Sequence, residues 1–366
     1  MRYLAILGRE PKLSLAELEA LFADVRQLTS ATAIFTAADA NINRLGGSLK
    51  LAMPLAVSPL DYLRSVEDGK LTIAVSDYSR HASTKTATVE ALKLKKILVR
   101  HDRSVRVVEN KSATLSTASS LHNGLSGRNP RKVEFIKIDK DWYRVVGVQD
   151  IDAYARRDQA RPARDARIGM LPPKLAQILI NLCGPLPAGS RILDPFCGTG
   201  VVLQEATLMG YIPYGTDINE RMIEYTEKNL AWLTETQKIN TPFSVSLGDA
   251  TSFQWTQPID AVACEAYLGR PMSTIPPEIK LKTEKQECGA IIKGFLKNLA
   301  GQIKPGTPVV IAIPAWLREN GTYSRLEILD EIEHMGYNVS NKTREGLLYH
   351  RDGQIVARDI IILRKN

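Results

Sequence analysis

The chain is 366 residues long, 44% hydrophobic and 24% charged, the balance of a soluble globular protein with room for two domains, each with its own core. It has no apolar run of ~20 residues, which argues against a membrane-spanning helix, and Arg9 and Glu10 fall too early for a secretory signal. The formal net charge is +8, and the stretch from Arg80 to Arg144 carries 15 Lys and Arg against 6 Asp and Glu, so the rest is close to neutral. Such a block suits either a polyanion partner or the solvated face of a basic protein.

Taken in order, Arg2 to Gly8 alternates weakly and predicts a strand. Ser14-Leu15-Ala16-Glu17 has the form of a capping box, ahead of a helix with Leu15, Leu18, Leu21 and Phe22 on one face. Further strands are expected at 31–36, 71–75 and 104–108. A helix from Lys85 to about Arg100 should turn Val89, Leu92, Ile97 and Leu98 inward. The hydroxyl-rich stretch from Asn110 and Lys111 to Gly124 leads to a basic turn containing Arg128, Arg131 and Lys132. Hydroxyls, amides and guanidinium groups of this kind contact RNA phosphate and ribose without reading bases. A hairpin is predicted from 133–138 and 142–148. The segment 151–167, with Arg156, Arg157 and Arg161, has dense charge and no apolar period, and reads as a linker whose arginines can hold backbone phosphates. An amphipathic helix follows from Gly169 to about Leu182, opened by Pro172 and Pro173.

Arg191-Ile192-Leu193-Asp194-Pro195-Phe196-Cys197-Gly198-Thr199-Gly200 reads as a buried strand, an acid at its end and a glycine turn, with a helix after it. This is a nucleotide-binding corner. A dinucleotide site wants a third glycine where Leu203 stands, and Asp194 would repel a pyrophosphate, so a ligand with a cationic end is expected. Beyond Gly210, strands at 211–215, 243–247, 259–264 and 308–314 alternate with helices at 218–233, 284–300 and 323–335, which implies a parallel sheet. A short strand at 337–340 and a hairpin turning at Asp352-Gly353 close it. Acids recur at the ends of successive strands, at Asp194, Asp217, Asp249 and Glu265. The cysteines Cys183, Cys197, Cys264 and Cys288 have neither metal-ligand nor disulfide-framework spacing, so no metal is expected. They read as reduced, buried thiols of a cytoplasmic protein.

Asp194-Pro195-Phe196-Cys197-Gly198-Thr199-Gly200 resembles the first motif of S-adenosylmethionine-dependent methyltransferases. The chain is most similar to RNA methylases with an N-terminal THUMP region, especially the tRNA guanosine N2-methyltransferases. Leu7-Gly8-Arg9-Glu10-Pro11-Lys12-Leu13-Ser14-Leu15-Ala16-Glu17-Leu18-Glu19 resembles their opening, and the R-D…R-P…D pattern of 157–165 resembles the segment before their catalytic domain. The resemblance implies an α/β protein: a THUMP-like α+β RNA-binding region over 1–150, a charged linker over 151–167, and a seven-stranded Rossmann-like methyltransferase domain over 168–366. It implies S-adenosylmethionine as cofactor, with Pro172 over its methionine end. The amides around Cys197, Gly198 and Gly200 would hold the methionine carboxylate, and Asp194, with Pro195 and Phe196 beside it, would face the cationic groups. Asp217 would bond the ribose hydroxyls, and Asp249 and Ala250 the adenine. In amino-methylating relatives, D/N-P-P-Y/F ends the fourth strand, where the acid or amide accepts from the base amine and the ring stacks on the base. Here Glu265-Ala266-Tyr267-Leu268-Gly269 gives Glu265 and Tyr267 those roles. Ala266 replaces the first proline, and the ring comes one place early.

The function expected is transfer of a methyl group to an exocyclic base amine of structured RNA, namely tRNA, with guanosine N2 favoured. A DNA base methyltransferase and a non-catalytic RNA-binding protein on a methylase scaffold are the alternatives. The sequence leaves open whether a small activating protein partner is needed.

Overall fold

The computed structural model describes residues 1–165, 170–340 and 347–366. Contacts divide the chain into two compact units, Met1–Tyr154 and Ala155–Asn366. No described helix is long and apolar enough to cross a membrane.

The first unit runs β1 (Arg2–Leu7), α1 (Pro11–Leu21), β2 (Ala23–Thr29), β3 (Thr32–Thr36), β4 (Ser48–Pro54), α2 (Pro59–Ser65), β5 (Leu71–Asp77), α3 (Thr84–Val99), β6 (Val105–Val107), α4 (Thr117–His122), β7 (Lys132–Ile138) and β8 (Asp141–Val148). The eight strands form one mixed sheet in the order β2-β3-β1-β4-β8-β7-β5-β6, with β5 parallel to both β6 and β7. The alternation of β1 is weak because both faces are covered. Tyr3, Ala5 and Leu7 pack with Leu18 and Phe35, whereas Leu4 and Ile6 pack with Ile136 and Val145.

Two local expectations are corrected here. Ser14 and Glu17 form no capping box, because Pro11 starts the helix one turn earlier and Ser14 Oγ donates to Glu10 O at 2.9 Å. Glu17 is fully buried and accepts from the Gly46 and Gly47 amides at 2.9 Å each. In α3 the buried residues are Ala87, Ala91 and Leu98, while Val89 and Leu92 are exposed. Small residues face the sheet there and let the helix approach it closely.

A buried polar knot supports the hydroxyl-rich segment. Lys50 Nζ donates to both Glu134 oxygens at 2.6 and 2.9 Å and to Leu115 O at 2.8 Å. Ser76 and Ser120 each donate to Glu134 at 2.6 Å. Ser120 belongs to α4, so the charge pair fixes that helix to β4, β5 and β7.

The second unit begins within α5 (Ile151–Gln159). Much of the predicted linker is therefore helical. Its apolar period is missing because its inward positions are Tyr154 and Arg157 rather than a hydrophobic stripe. Residues 166 and 167, and Gly169 at the expected start of the next helix, lie outside the described residues.

There follow α6 (Pro173–Leu182), β9 (Arg191–Asp194), α7 (Val201–Leu208), β10 (Ile212–Asp217), α8 (Glu220–Gln237), β11 (Ser244–Leu247), β12 (Ala261–Glu265), α9 (Glu278–Ala300), β13 (Pro308–Leu317), β14 (Tyr323–Arg325), α10 (Leu329–His334), β15 (Tyr337–Val339), β16 (Leu348–Tyr349) and β17 (Val356–Lys365). The main path of the sheet is β11-β10-β9-β12-β13-β17-β15, parallel up to β13 and antiparallel at β17. Two short strands, β14 and β16, pair onto β13 and β17. The main path holds the expected seven strands, the two short ones bring the total among the described residues to nine, and the expected helix at 323–335 is β14 followed by the short α10. The core between sheet and helix joins Leu193, Val262, Cys264 and Ile311 to Cys288, Ile292, Phe295 and Leu299 of α9. All four cysteines are free and buried.

The polar knot yields a stability prediction. Lys50→Met leaves Glu134 buried without its counter-charge and should destabilise the first unit by about 3–5 kcal/mol, read as a lower urea midpoint. Adding Glu134→Gln should recover part of the loss. An unchanged midpoint in the single variant would show that the pair does not hold the unit together.

Candidate active site

The parallel strands of the second unit end together, and their last residues are acidic. In register Asp194 lies opposite Gly215, two residues before Asp217, and Glu265 lies opposite Ala312. Asp194 is 2% exposed and accepts only from the Phe196 amide, at 3.1 Å, among the described residues. Burial pushes its pKa well up, and the neighbouring Asp217 and Glu265 carboxylates push it further. Burial also raises Asp217, against hydrogen bonds from the Asn219 and Gly198 amides at 2.9 Å each. Three acids thus converge where strands β9, β10 and β12 stop.

The turn after β9 is drawn tight. Gly200 has φ +80°, and a Cβ there would lie 2.9 Å from Thr226 Cγ2, so the position requires glycine on both counts. Thr226 Oγ1 donates to Gly198 O at 2.8 Å, and Asn229 Nδ2 donates to Thr199 O at 2.9 Å. The turn amides are largely engaged. Cys197 N donates to Thr216 O at 3.0 Å, Gly198 N to Asp217 at 2.9 Å and Gly200 N to Cys197 O at 2.7 Å. In this structure the turn spends these amides on its own closure. Cys197 is buried at 4% and packs with Leu203 and Leu230, while Phe196 meets Phe295 edge-on at 5.2 Å.

A strap over 161–165 lies against α8 and this turn. Asn229 bonds both the N and the O of Ala163 at 2.9 Å, and Asp165 pairs with Arg221 at 2.6 Å. Arg157 and Arg161, expected at an RNA surface, point inward. Arg157 Nε donates to the buried Glu205 at 2.6 Å. Arg161 is 3% exposed. Arg156 does face solvent.

Glu265 has a partner that sequence reasoning missed. Arg358 of β17, 2% exposed, donates from Nε to Glu265 Oε1 at 2.7 Å and from Nη1 to Gln354 at 3.1 Å. Burial raises the Glu265 pKa, and Arg358 opposes the rise. The signal was available, for Arg358-Asp359 is a charged pair inside an otherwise apolar run. Glu265 Oε2 has no hydrogen-bond partner among the described residues. Ala266 N donates to Ala312 O at 2.9 Å, and Tyr267 beyond it is 37% exposed. Gly269, at φ +86°, turns the chain where a Cβ would meet Glu284 Oε2 at 2.8 Å. Arg270 is ion-paired with Glu287 at 3.2 Å.

Asp249 stands apart from the three gathered acids. It is exposed and caps its own turn through Thr251 N and Oγ1, both at 2.8 Å, while Ala250 is buried. In the first unit, Lys111, Arg128, Arg131 and Lys132 are exposed. Lys132 lies over Gly124 at the end of α4, with its Nζ 3.3 Å from where a Cβ would stand, and Arg106 donates to Asn123 at 2.9 Å. The hydroxyl-rich helix and the basic turn are therefore neighbours. Arg131 also donates to Asp68 O at 3.3 Å.

This sheet order and acidic edge, with β17 reversed, are those of a methyltransferase domain that uses S-adenosylmethionine. The UPF0020 family model, an RMKL-like methyltransferase domain, matches residues 161–285, within the second unit. The chain is 33% identical over 195 residues to the tRNA (guanine(10)-N2)-dimethyltransferase of Methanothermobacter thermautotrophicus, covering 50% of this chain and 54% of that protein, about half its length. It is 28% identical to the Pyrococcus abyssi tRNA (guanine(10)-N2)-dimethyltransferase over 99% of both. Among solved structures, TrmN from Thermus thermophilus aligns over 100% of both chains at 17% identity with TM-score 0.49.

The residues present fit the cofactor. A sulfonium and an ammonium suit an edge where three carboxylates meet without enough protein cations to balance them. Asp194 supplies the test. Its raised pKa means that the folded state binds a proton more readily than the unfolded chain, so its contribution to stability falls as pH rises from the ordinary aspartate range through the raised value. Asp194→Asn should therefore raise the melting temperature of the cofactor-free protein at pH 7 and weaken S-adenosylmethionine binding in calorimetry. A lower melting temperature would mean that the carboxylate is structural.

Proposed function

We propose that this protein methylates the exocyclic N2 amine of a guanosine in tRNA. Support for the chemistry comes from Glu265, an acid at the end of β12 with one oxygen held by Arg358 and the other without a hydrogen-bond partner among the described residues. The matched methyltransferase domain and the names of the two archaeal relatives support the substrate class. When bound, S-adenosylmethionine supplies an electrophilic methyl group. Glu265 accepts a hydrogen bond from the target amine and aims its lone pair, and Arg358 fixes the carboxylate and favours its ionised form. Such a reaction gains most from positioning. Asp217 bonds the ribose, Asp249 and Ala250 the adenine, and the exposed ring of Tyr267 stacks on the target base.

On this reading the first unit is a THUMP-type region that grips RNA by shape and phosphates, through the patch of Arg106, Lys111, Arg128, Lys132 and the hydroxyls near α4. The target base leaves its stack to reach Glu265, at a cost of a few kcal/mol. The buried free thiols fit a cytoplasmic setting.

Incubation with total tRNA and labelled S-adenosylmethionine, followed by nucleoside mass spectrometry, should yield N2-methylated guanosine. Label in DNA and none in tRNA would overturn the substrate, and cofactor binding without transfer to any nucleic acid would overturn the enzyme. Glu265→Ala should lower turnover by ~10²-fold or more with cofactor binding kept. Because Arg358 opposes the upward shift of Glu265, Arg358→Gln should move the acidic limb of the kcat/KM profile to higher pH. A limb that stays in place while activity falls would make Arg358 a packing residue. Replacing Arg128 and Lys132 by Gln should flatten the salt dependence of tRNA binding by about one unit of log–log slope per contact.

A further inference from the structure

Arg161 is charged, buried and unanswered. At 3% exposure its Nε and Nη1 have no hydrogen-bond partner, and Nη2 reaches only Met170 Sδ, at 2.9 Å, among the described residues. Arg157 and Arg358 of the same unit are, by contrast, met by carboxylates, Glu205 and Glu265. Asp158 acts on Arg161 through space, and burial still pushes the guanidinium pKa down. A planar cation with idle donors in a buried site is completed by an anion from outside the chain.

Its position says which anion. Ala163, two residues on, is bonded through N and O to Asn229, whose amide also binds Thr199 O of the glycine turn. Met170, which Arg161 touches, leads into Pro172 and Pro173 at the start of α6. Arg161 thus lies two residues before a segment tied to the glycine turn, where Phe196, Cys197, Gly198 and Gly200 have already committed their amides within the chain. A ligand with cationic groups for Asp194 and a carboxylate for Arg161 matches both features. The amino-acid end of S-adenosylmethionine has that pattern. We propose that Arg161 binds the methionine carboxylate of the cofactor, a role that rests on the methyltransferase reading above. A backbone phosphate of RNA fits less well, since the guanidinium is closed off from the surface along which a polymer would lie.

Calorimetry with the full chain tests this using two probes, S-adenosylmethionine and decarboxylated S-adenosylmethionine. The wild type should prefer the carboxylated compound by ~10-fold or more, the scale of a charge-assisted pair. Arg161→Met should erase the preference while leaving affinity for the decarboxylated compound and for tRNA unchanged. Arg161→Lys should keep part of the preference and guards against misfolding of the first variant. Equal weakening of both compounds would assign Arg161 a structural role. Loss of tRNA affinity with the preference intact would assign it to phosphate. Either result overturns the proposal, as does a preference that survives Arg161→Met. A wild type that binds neither compound would sink the methyltransferase reading itself.

Discussion

Like charges gathered at the ends of parallel strands dominate the second unit. Asp194 is held at the end of the inner strand β9 with two other carboxylates close enough to raise its pKa. Strand pairing leaves little freedom to relieve this, because the register of β9, β10 and β12 sets where each acid emerges. The protein answers the charge locally and incompletely, with backbone amides on Asp217 and Arg358 on Glu265. The uncompensated remainder is a site prepared for a cation. That arrangement costs stability when empty and returns it as binding energy.

The remaining elements of the site serve that edge. Thr226 and Asn229 of α8 hold the glycine turn from behind, and Asn229 also holds the strap. The strap carries Arg161 two residues before the held Ala163. One amide on α8 therefore couples two segments that are 36 residues apart in sequence at Ala163 and Thr199. The reversed β17 has a similar double use. It closes the sheet against β13 through nine paired positions and delivers Arg358 to Glu265.

The corner from Arg191 to Gly200 was legible because strand, acid, glycine and helix are local signals with fixed spacing. The alternation of strands and helices was legible for the same reason. Less legible were features set by partners far along the chain. Arg157 and Arg161 looked like solvated arginines, since sequence gives charge but not the buried Glu205 or the strap that turns them inward. Ser14 and Glu17 matched a capping pattern, yet Pro11 starts the helix earlier and frees Glu17 to bind amides about 30 residues away. On α3 Leu98 is buried as expected, but Val89 and Leu92 mislead because they are more hydrophobic than the alanines that in fact meet the sheet.

The departure at Glu265-Ala266-Tyr267 has a physical consequence that the motif comparison alone does not show. A proline after the acid would have no N–H. Ala266 has one, and donates it to Ala312 O at 2.9 Å, so the ladder with β13 continues one residue past Glu265. The carboxylate thus leaves from a strand still paired on that side, rather than from the first residue of a loop. Its longer arm is anchored at one oxygen by Arg358. Rigidity that a proline pair would give through φ is supplied here by a main-chain hydrogen bond and a buried ion pair. The aromatic ring follows directly on that ladder residue and emerges at 37% exposure, one position earlier than in the proline form. The variant stretch therefore keeps an oriented acid with an adjacent exposed ring, by a different construction.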